Sequence, residues 1–264
     1  MHPRPAAETP EAGANSDIKI CVYTHGDGGG FWTVAQKGAE AAAADLGITL
    51  DYQGSTNDSA KQASTIDAGI AAGCQGIAAS APDAGAIKDA MLKASEAGIP
   101  TVTMNSGSSV YAELGANTHV GQDEIIAGQQ AGLKFNEMGV KHVLCPIQEA
   151  ANVGLEERCK GLSQTFKGKT ENFNLDGGLA DLTAAAAKLQ AALTADKTID
   201  AVFALNADIA AKAVMPAAEA AGVTVKIGTV DMNRVFSEYS KTKDAQAKYS
   251  DAEKAANDDL NNRV

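Results

Sequence analysis

Four glycines in nine residues, Thr24-His25-Gly26-Asp27-Gly28-Gly29-Gly30-Phe31-Trp32, follow an apolar run at 18–23 and precede a segment with helical spacing. A glycine-rich turn between a strand and a helix is where backbone N–H groups can cradle a phosphate. The dinucleotide fingerprint G-x-G-x-x-G also needs its third glycine, for close packing of helix on strand. Counted from Gly26, that position is Phe31; counted from Gly28, it is Thr33. Neither register completes. Asp51, at the end of the second apolar run, sits where a ribose-binding acid would, so a nucleotide-dependent oxidoreductase stays only as a remote alternative. The adjacent aromatics Phe31 and Trp32 point instead to a ligand with an apolar face.

Other catalytic patterns fail in the same way. The one GK[ST] tripeptide, Gly168-Lys169-Thr170, has Ser163 where a phosphate loop requires glycine, and it follows a helical segment rather than a strand. The chain has no G-x-S-x-G elbow and no His beside a Ser or Cys in a nucleophilic pattern. The carboxylates offer no pair assignable as acid and base. A protein that is not an enzyme is expected, with no cofactor.

The remaining candidates recur at one structural place. Asp83 follows the third strand-like run, Asn105 and Ser106 the fourth, Asn206 and Asp208 the run ending Phe203-Ala204-Leu205, and Asp231 the run ending at Val230. Open parallel sheets hold their ligands at the carboxyl ends of strands. Any one of these residues alone reads equally as a helix cap or turn residue. Their repetition at strand ends favours binding.

The elements that must position them alternate. Apolar strand-like runs lie at 18–24, 48–53, 75–80, 100–104, 141–147, 170–175, 199–205 and 223–230, with helical spacing over 32–46, 58–72, 84–97, 123–138, 154–167, 181–194 and 208–221. Alternation of this kind predicts an α/β protein with parallel sheets covered on both faces. Glycines at 47, 98, 139 and 222 suit left-handed helix ends, and Asn57-Asp58 and Pro82-Asp83 suit helix starts. Asn57-Asp58-Ser59 also spells a glycosylation sequon, but reads better as a cap. The pattern divides into a lead-in at 1–17, an N-terminal α/β lobe at 18–105, a polar link with a C-terminal α/β lobe at 106–231, and a tail at 232–264. Two such lobes create a cleft between them, a common place for a small ligand.

Composition narrows the function further. The 264 residues carry a formal net charge of −11 and no cluster of Lys and Arg, which argues against a nucleic-acid partner. The lead-in lacks the apolar middle of a secretory signal. It reads either as the tether left after removal of an export signal or lipobox, or as a gene-start artefact. The four cysteines, at 21, 74, 145 and 159, form no CxxC pair, and His2, His25, His119 and His142 are scattered, so zinc-type spacing is absent and no metal is expected. Cys21 and Cys74 fall in or beside core strands and read as buried free thiols. Cys145 and Cys159 flank a loop that permits a disulfide, which would fit an oxidising compartment.

With these residues in place, the chain resembles the ribose-binding-like (type I) periplasmic binding proteins of bacterial ABC importers. The resemblance rests on GGFWTVAQKGAEAAAADLG, AAGCQGIAASAPDAGAIKDAMLKASEAGIPTVTMNSG, THVGQDEIIAGQQAG, NVGLEERCKG, DAVFALNADIA and IGTVD, in register over about 18–231. It implies two lobes that close on a monosaccharide or polyol. Phe31 and Trp32 match the aromatic pair of the first loop, Arg158 a sugar-contacting arginine, and Asn206 and Asp231 hydrogen-bonding positions. Asn105 stands where ribose binders usually carry Asp, which opens the choice to other pentoses, hexoses or linear polyols. The resemblance also favours a Cys145–Cys159 disulfide.

The family continues past the Asp231 position with another helix, strand and interlobe crossing. Residues 232–264 contain no Gly or Pro and carry a stripe of Ala245, Tyr249, Ala252, Ala256 and Leu260 at helical spacing. A truncated or frame-shifted C-terminus is the expectation, with an altered natural one as the alternative. The expected function is capture of a sugar or polyol for an ABC importer permease by a periplasmic or extracellular monomer, with a lipid tether as one form of its localisation. A sugar-sensing module presenting its ligand to a membrane receptor is the alternative.

Overall fold

A computed structural model describes residues 17–27, 29–175 and 177–228. They form two compact units, one reaching Glu124 and including Ala151–Glu156, the other comprising Ile125–Ala150 and the chain from Glu157 onward. Each unit is built on one parallel sheet, as the alternating pattern predicts.

In the first unit, β1 (Lys19–Thr24), β2 (Thr49–Gly54), β3 (Gly76–Ser80), β4 (Thr101–Met104) and β5 (Thr118–Val120) lie in the order β2-β1-β3-β4-β5. The helices α1 (Gly29–Leu46), α2 (Ser59–Ala71) and α3 (Ala84–Glu96) connect the first four strands. Cys21, Tyr23, Ile66, Ile87, Met91 and Leu114 make the core. β5 was not expected. It lies within the polar 106–118 link and pairs with β4 at Val102↔Thr118, so the link closes the first sheet and carries the first unit beyond residue 105. Three residues at a sheet edge are too short for periodicity to reveal.

The second unit orders β6 (His142–Ile147), β7 (Lys169–Asn174), β8 (Ala201–Phe203) and β9 (Lys226–Gly228) as β7-β6-β8-β9. Its helices are α4 (Glu124–Glu137), α5 (Val153–Thr165), whose first turn belongs to the first unit, α6 (Leu182–Ala195), α7 (Ala207–Ile209) and α8 (Met215–Ala220). Leu144, Leu189, Leu193, Val202, Ile209 and Val214 fill its core. The helix expected over 208–221 is interrupted by a π turn, Ala210–Val214. Pro216 has no N–H to give, and just before it the Met215 N–H reaches back five residues to the Ala210 carbonyl.

Cys21 and Cys74 are not free thiols. They form a buried disulfide that ties β1 to the turn before β3, because parallel pairing of β1 with β3 brings the two chain segments side by side. Cys145 of β6 is bonded to Cys159 of α5. Asp51 serves this core rather than a ribose: it accepts a hydrogen bond from Tyr23 Oη at 3.1 Å and pairs with Lys19 at 3.9 Å. Burial, and then the Asp51 carboxylate, push the Tyr23 phenol above its ordinary range. Among the described residues no helix is long and apolar enough to cross a membrane.

Candidate functional site

Both sheets reverse their strand order at a central strand, between β1 and β3 in the first unit and between β6 and β8 in the second. At such a switch point the connections leave in opposite directions and open a crevice at the carboxyl ends of the strands. The candidate residues of the described chain gather around these ends.

In the first unit, a buried network joins the ends of β1 and β3. The His25 N–H donates to Ser80 Oγ at 2.7 Å, and His25 Nδ1 lies 2.8 Å from the same oxygen. Gln62 Nε2 donates to the carbonyls of Tyr23 at 3.1 Å and Ser80 at 2.8 Å. All three side chains are buried. They hold the His25 ring, and the ring positions Trp32, whose indole meets it edge-on at 4.9 Å. Gly26 makes room for that indole: a Cβ there would lie within 2.8 Å of indole carbon Cε2. Phe31 packs edge-on against Trp32 at 4.9 Å and is 52% exposed, so an aromatic surface faces outward. The helix starts at Gly29, earlier than the expected residue 32. Gly29 enters it at φ 66°, a left-handed value that glycine takes without strain. Gly26 therefore shapes the seat of Trp32, and Gly29 the entry to α1.

Asn105 and Ser106 follow β4. Asn105 takes φ 61°, which asparagine tolerates better than most residues, and its N–H donates to the Val120 carbonyl of β5 at 3.1 Å. Ser106 Oγ lies 3.1 Å from Asn105 Oδ1 and 3.3 Å from Asn152 Oδ1. Its single proton serves one of them at a time. Asn152 Oδ1 also accepts the Gly154 N–H at 3.1 Å, capping α5. The sequence reading singled out neither Asn152 nor the His25–Ser80–Gln62 set. An Asn directly before a helical run is the signal that marks Asn152; the buried network joins residues 25, 62 and 80, and no spacing rule connects them. Asp83 caps α3, accepting the Ala86 N–H at 3.1 Å.

In the second unit, Arg158 Nη1 donates to the carbonyl of Leu205 at 2.9 Å, just past the end of β8. The helix that carries Arg158 is held unusually close to α4. A Cβ on Gly128 would lie 2.7 Å from the Leu162 nitrogen, and one on Gly161 would lie 2.9 Å from the Ile125 carbonyl carbon. Only glycine at these positions permits that approach. Asn206, next to Leu205, caps α7 by accepting the N–H groups of Asp208 at 2.8 Å and Ile209 at 3.3 Å. Its amide nitrogen has no hydrogen-bond partner among the described residues. Asp208 forms an exposed ion pair with Lys212 at 2.8 Å, one helical turn away. Asp231 lies outside the described residues, as does the 232–264 tail. The strand ends of the first unit carry an aromatic face with amide acceptors, and those of the second carry amide and guanidinium donors, each a kind of group that hydroxyl-rich ligands need.

The periplasmic binding protein domain matches the chain over residues 20–256. Among solved structures, a carbohydrate transporter from Acidothermus cellulolyticus, crystallised with myo-inositol, is 40% identical, covering 81% of this chain and 74% of its own, with a TM-score of 0.77. The Caulobacter myo-inositol binding protein shares 21% identity over 83% of this chain and 76% of its own, with a TM-score of 0.68. A periplasmic sugar-binding protein from Legionella pneumophila shares 20% over 85% and 86%, at 0.73. The last two show the fold alone. No curated protein matches the chain. The domain match and the Acidothermus relative together show that this chain belongs to the periplasmic binding proteins, a solute-binding family, with the type I α/β fold.

Proposed function

We propose that the chain captures a monosaccharide or polyol outside the cytoplasmic membrane and delivers it, as a monomer, to an ABC importer, with a cyclic polyol of the inositol class as the first ligand to test. The observation that carries this reading is the 40% identity to a transporter protein crystallised with myo-inositol. Ligand contacts are assigned to Phe31, Trp32, Asn105 and Ser106 in the first unit and to Arg158 and Asn206 in the second, with Asp83, Asp208 and Asp231 as secondary candidates. The chemistry supports the choice. A ring bearing hydroxyls on every carbon needs paired donors and acceptors at its rim and an apolar surface against its face. A hydroxyl of the wrong configuration leaves a partner unpaired, at a cost of about 1–3 kcal/mol.

The test is a thermal-shift screen of the purified full chain against myo-inositol, ribose, galactose, fructose, allitol and glycerol. Saturating ligand raises Tm by mass action. A rise with myo-inositol supports the proposal, a rise with another member moves the ligand within the class, and no rise with any overturns it. Trp32 is the only tryptophan, so its fluorescence should change with the same midpoint. Unchanged emission during demonstrated binding would remove Trp32 from the contacts.

A further inference from the structure

A second cluster lies at the opposite, amino-terminal end of the second sheet. His142 opens β6, Glu171 stands on β7, and Asp196 ends α6. One nitrogen of His142, one oxygen of Glu171 and one oxygen of Asp196 all lie within 4.8 Å of one another. Nothing in the sugar-binding reading uses them.

The hydrogen bonds around His142 fix which nitrogen is available. Thr198 Oγ1 lies 2.6 Å from Asp196 Oδ1 and gives that carboxylate its one proton. It must therefore accept from His142 Nδ1, 2.9 Å away. In the neutral ring this leaves the lone pair on Nε2. That atom is buried, on a residue 2% exposed, and has no hydrogen-bond partner among the described residues. It faces Glu171 Oε2 at 3.5 Å, so two lone pairs oppose each other across the gap. Such an arrangement calls for a cation. Among the described residues Lys169 supplies one: its ammonium lies 3.2 Å from Glu171 Oε2 and 3.7 Å from Asp196 Oδ2, on a 59% exposed side chain that is free to swing aside.

We infer that His142, Glu171 and Asp196 form a binding site for a divalent transition-metal ion of the zinc class, with Lys169 as the competing occupant. One imidazole and two carboxylates suit such an ion, whose bonds to nitrogen and oxygen are about 2 Å long. Ligand atoms on a tetrahedral ion stand roughly 3.3 Å apart by the same bond lengths, close to the 3.5 Å between Nε2 and Oε2. Asp196 Oδ2 lies 3.7 Å from Nδ1, and Glu171 and Asp196, 44% and 37% exposed, can each turn toward an ion on Nε2. Two carboxylates balance the ion's charge. The Nδ1–Thr198–Asp196 chain orients the imidazole, as outer hydrogen bonds do for histidine ligands generally. A water completes the coordination.

The experiment titrates the chelator-stripped full chain with zinc chloride by calorimetry, with Tm followed in parallel. One ion per chain and a rise in Tm are expected. Glu171→Gln, a change on a half-exposed side chain, should weaken binding at least about tenfold, and Lys169→Gln should tighten it. His142→Gln should abolish it. Because that buried variant can fail to fold, Glu171→Gln and Lys169→Gln decide the outcome. Cobalt in place of zinc should give visible ligand-field bands that change in Glu171→Gln. No saturable binding, or equal affinity in wild type and Glu171→Gln, overturns the site.

Discussion

In the first unit the strand ends meet through side chains that hydrogen-bond one another, His25 to Ser80, Gln62 to both flanking carbonyls, and Ser106 to Asn105 or Asn152. In the second they meet through a side chain and a backbone group, Arg158 on the Leu205 carbonyl, beside an asparagine whose amide donor is spare among the described residues. The same topology thus supports two kinds of surface. The first is pre-assembled and aromatic; the second offers donors held in place by helix packing. The staples differ too. In the first unit the disulfide closes a separation of 53 residues between a strand and the turn leading to its neighbour; in the second it closes 14 between a strand and the helix beside it.

That difference gives the largest expected effect. Loop-closure entropy assigns about 4 kcal/mol to the longer link and about 3 kcal/mol to the shorter. The double variant Cys21→Ala/Cys74→Ala should therefore lower stability more than Cys145→Ala/Cys159→Ala, as read by denaturant unfolding. Equal losses, or the reverse order, would show that native packing and not chain entropy dominates these links.

The glycines sharpen the same contrast. Gly69→Ala would drive a methyl into the Tyr23 ring of the first unit, where a Cβ would lie 2.7 Å from Cε2. Gly161→Ala would force α4 from α5 in the second. Each should cost about 1–3 kcal/mol by overpacking. Only Gly161→Ala shifts the helix that carries Arg158, so it alone should also weaken ligand binding, measured by titration at a temperature where both variants are folded. Equal binding by both would separate Arg158 from the site.

The smallest effect is expected from His119, whose Nδ1 lies 2.8 Å from Thr103 Oγ1 and whose Nε2 is buried without a hydrogen-bond partner among the described residues. Burial lowers its pKa below the ordinary histidine value. The unfolded chain then takes up a proton at higher pH than the folded one. Stability from this residue is complete above about pH 6.5 and falls as the pH drops below it. His119→Gln should flatten that part of the pH–stability curve; an unchanged slope would contradict it.

Much of the architecture is legible in the chain because its signals are local. Apolar periodicity marks eight of the strands, and helix stops at Gly47, Gly98, Gly139 and Gly222 all fall at left-handed glycines. The missing third glycine after Gly26 argues against a phosphate loop in the sequence, and in the structure Gly26 makes room for the Trp32 indole. What escaped were features whose parts are far apart or too short. β5 has three residues and the π turn five. Cys21 read as a free thiol because nothing in a sequence shows which segment will lie beside it.

By itself, then, the sequence determined the alternation of strands and helices and the kinship with sugar-binding proteins. These follow from period, capping and residue type, all properties of neighbours along the chain. Only the tertiary structure decided which residues meet. Parallel pairing of β1 with β3 joined Cys21 to Cys74. Close packing of α4 on α5 fixed the helix that presents Arg158. The convergence of β6, β7 and the end of α6 gathered His142, Glu171 and Asp196, which lie too far apart in sequence for any ligand-spacing rule to connect. In a parallel sheet every neighbouring pair of strands is separated by a crossover, so contacts there are set by strand order, which spacing does not encode.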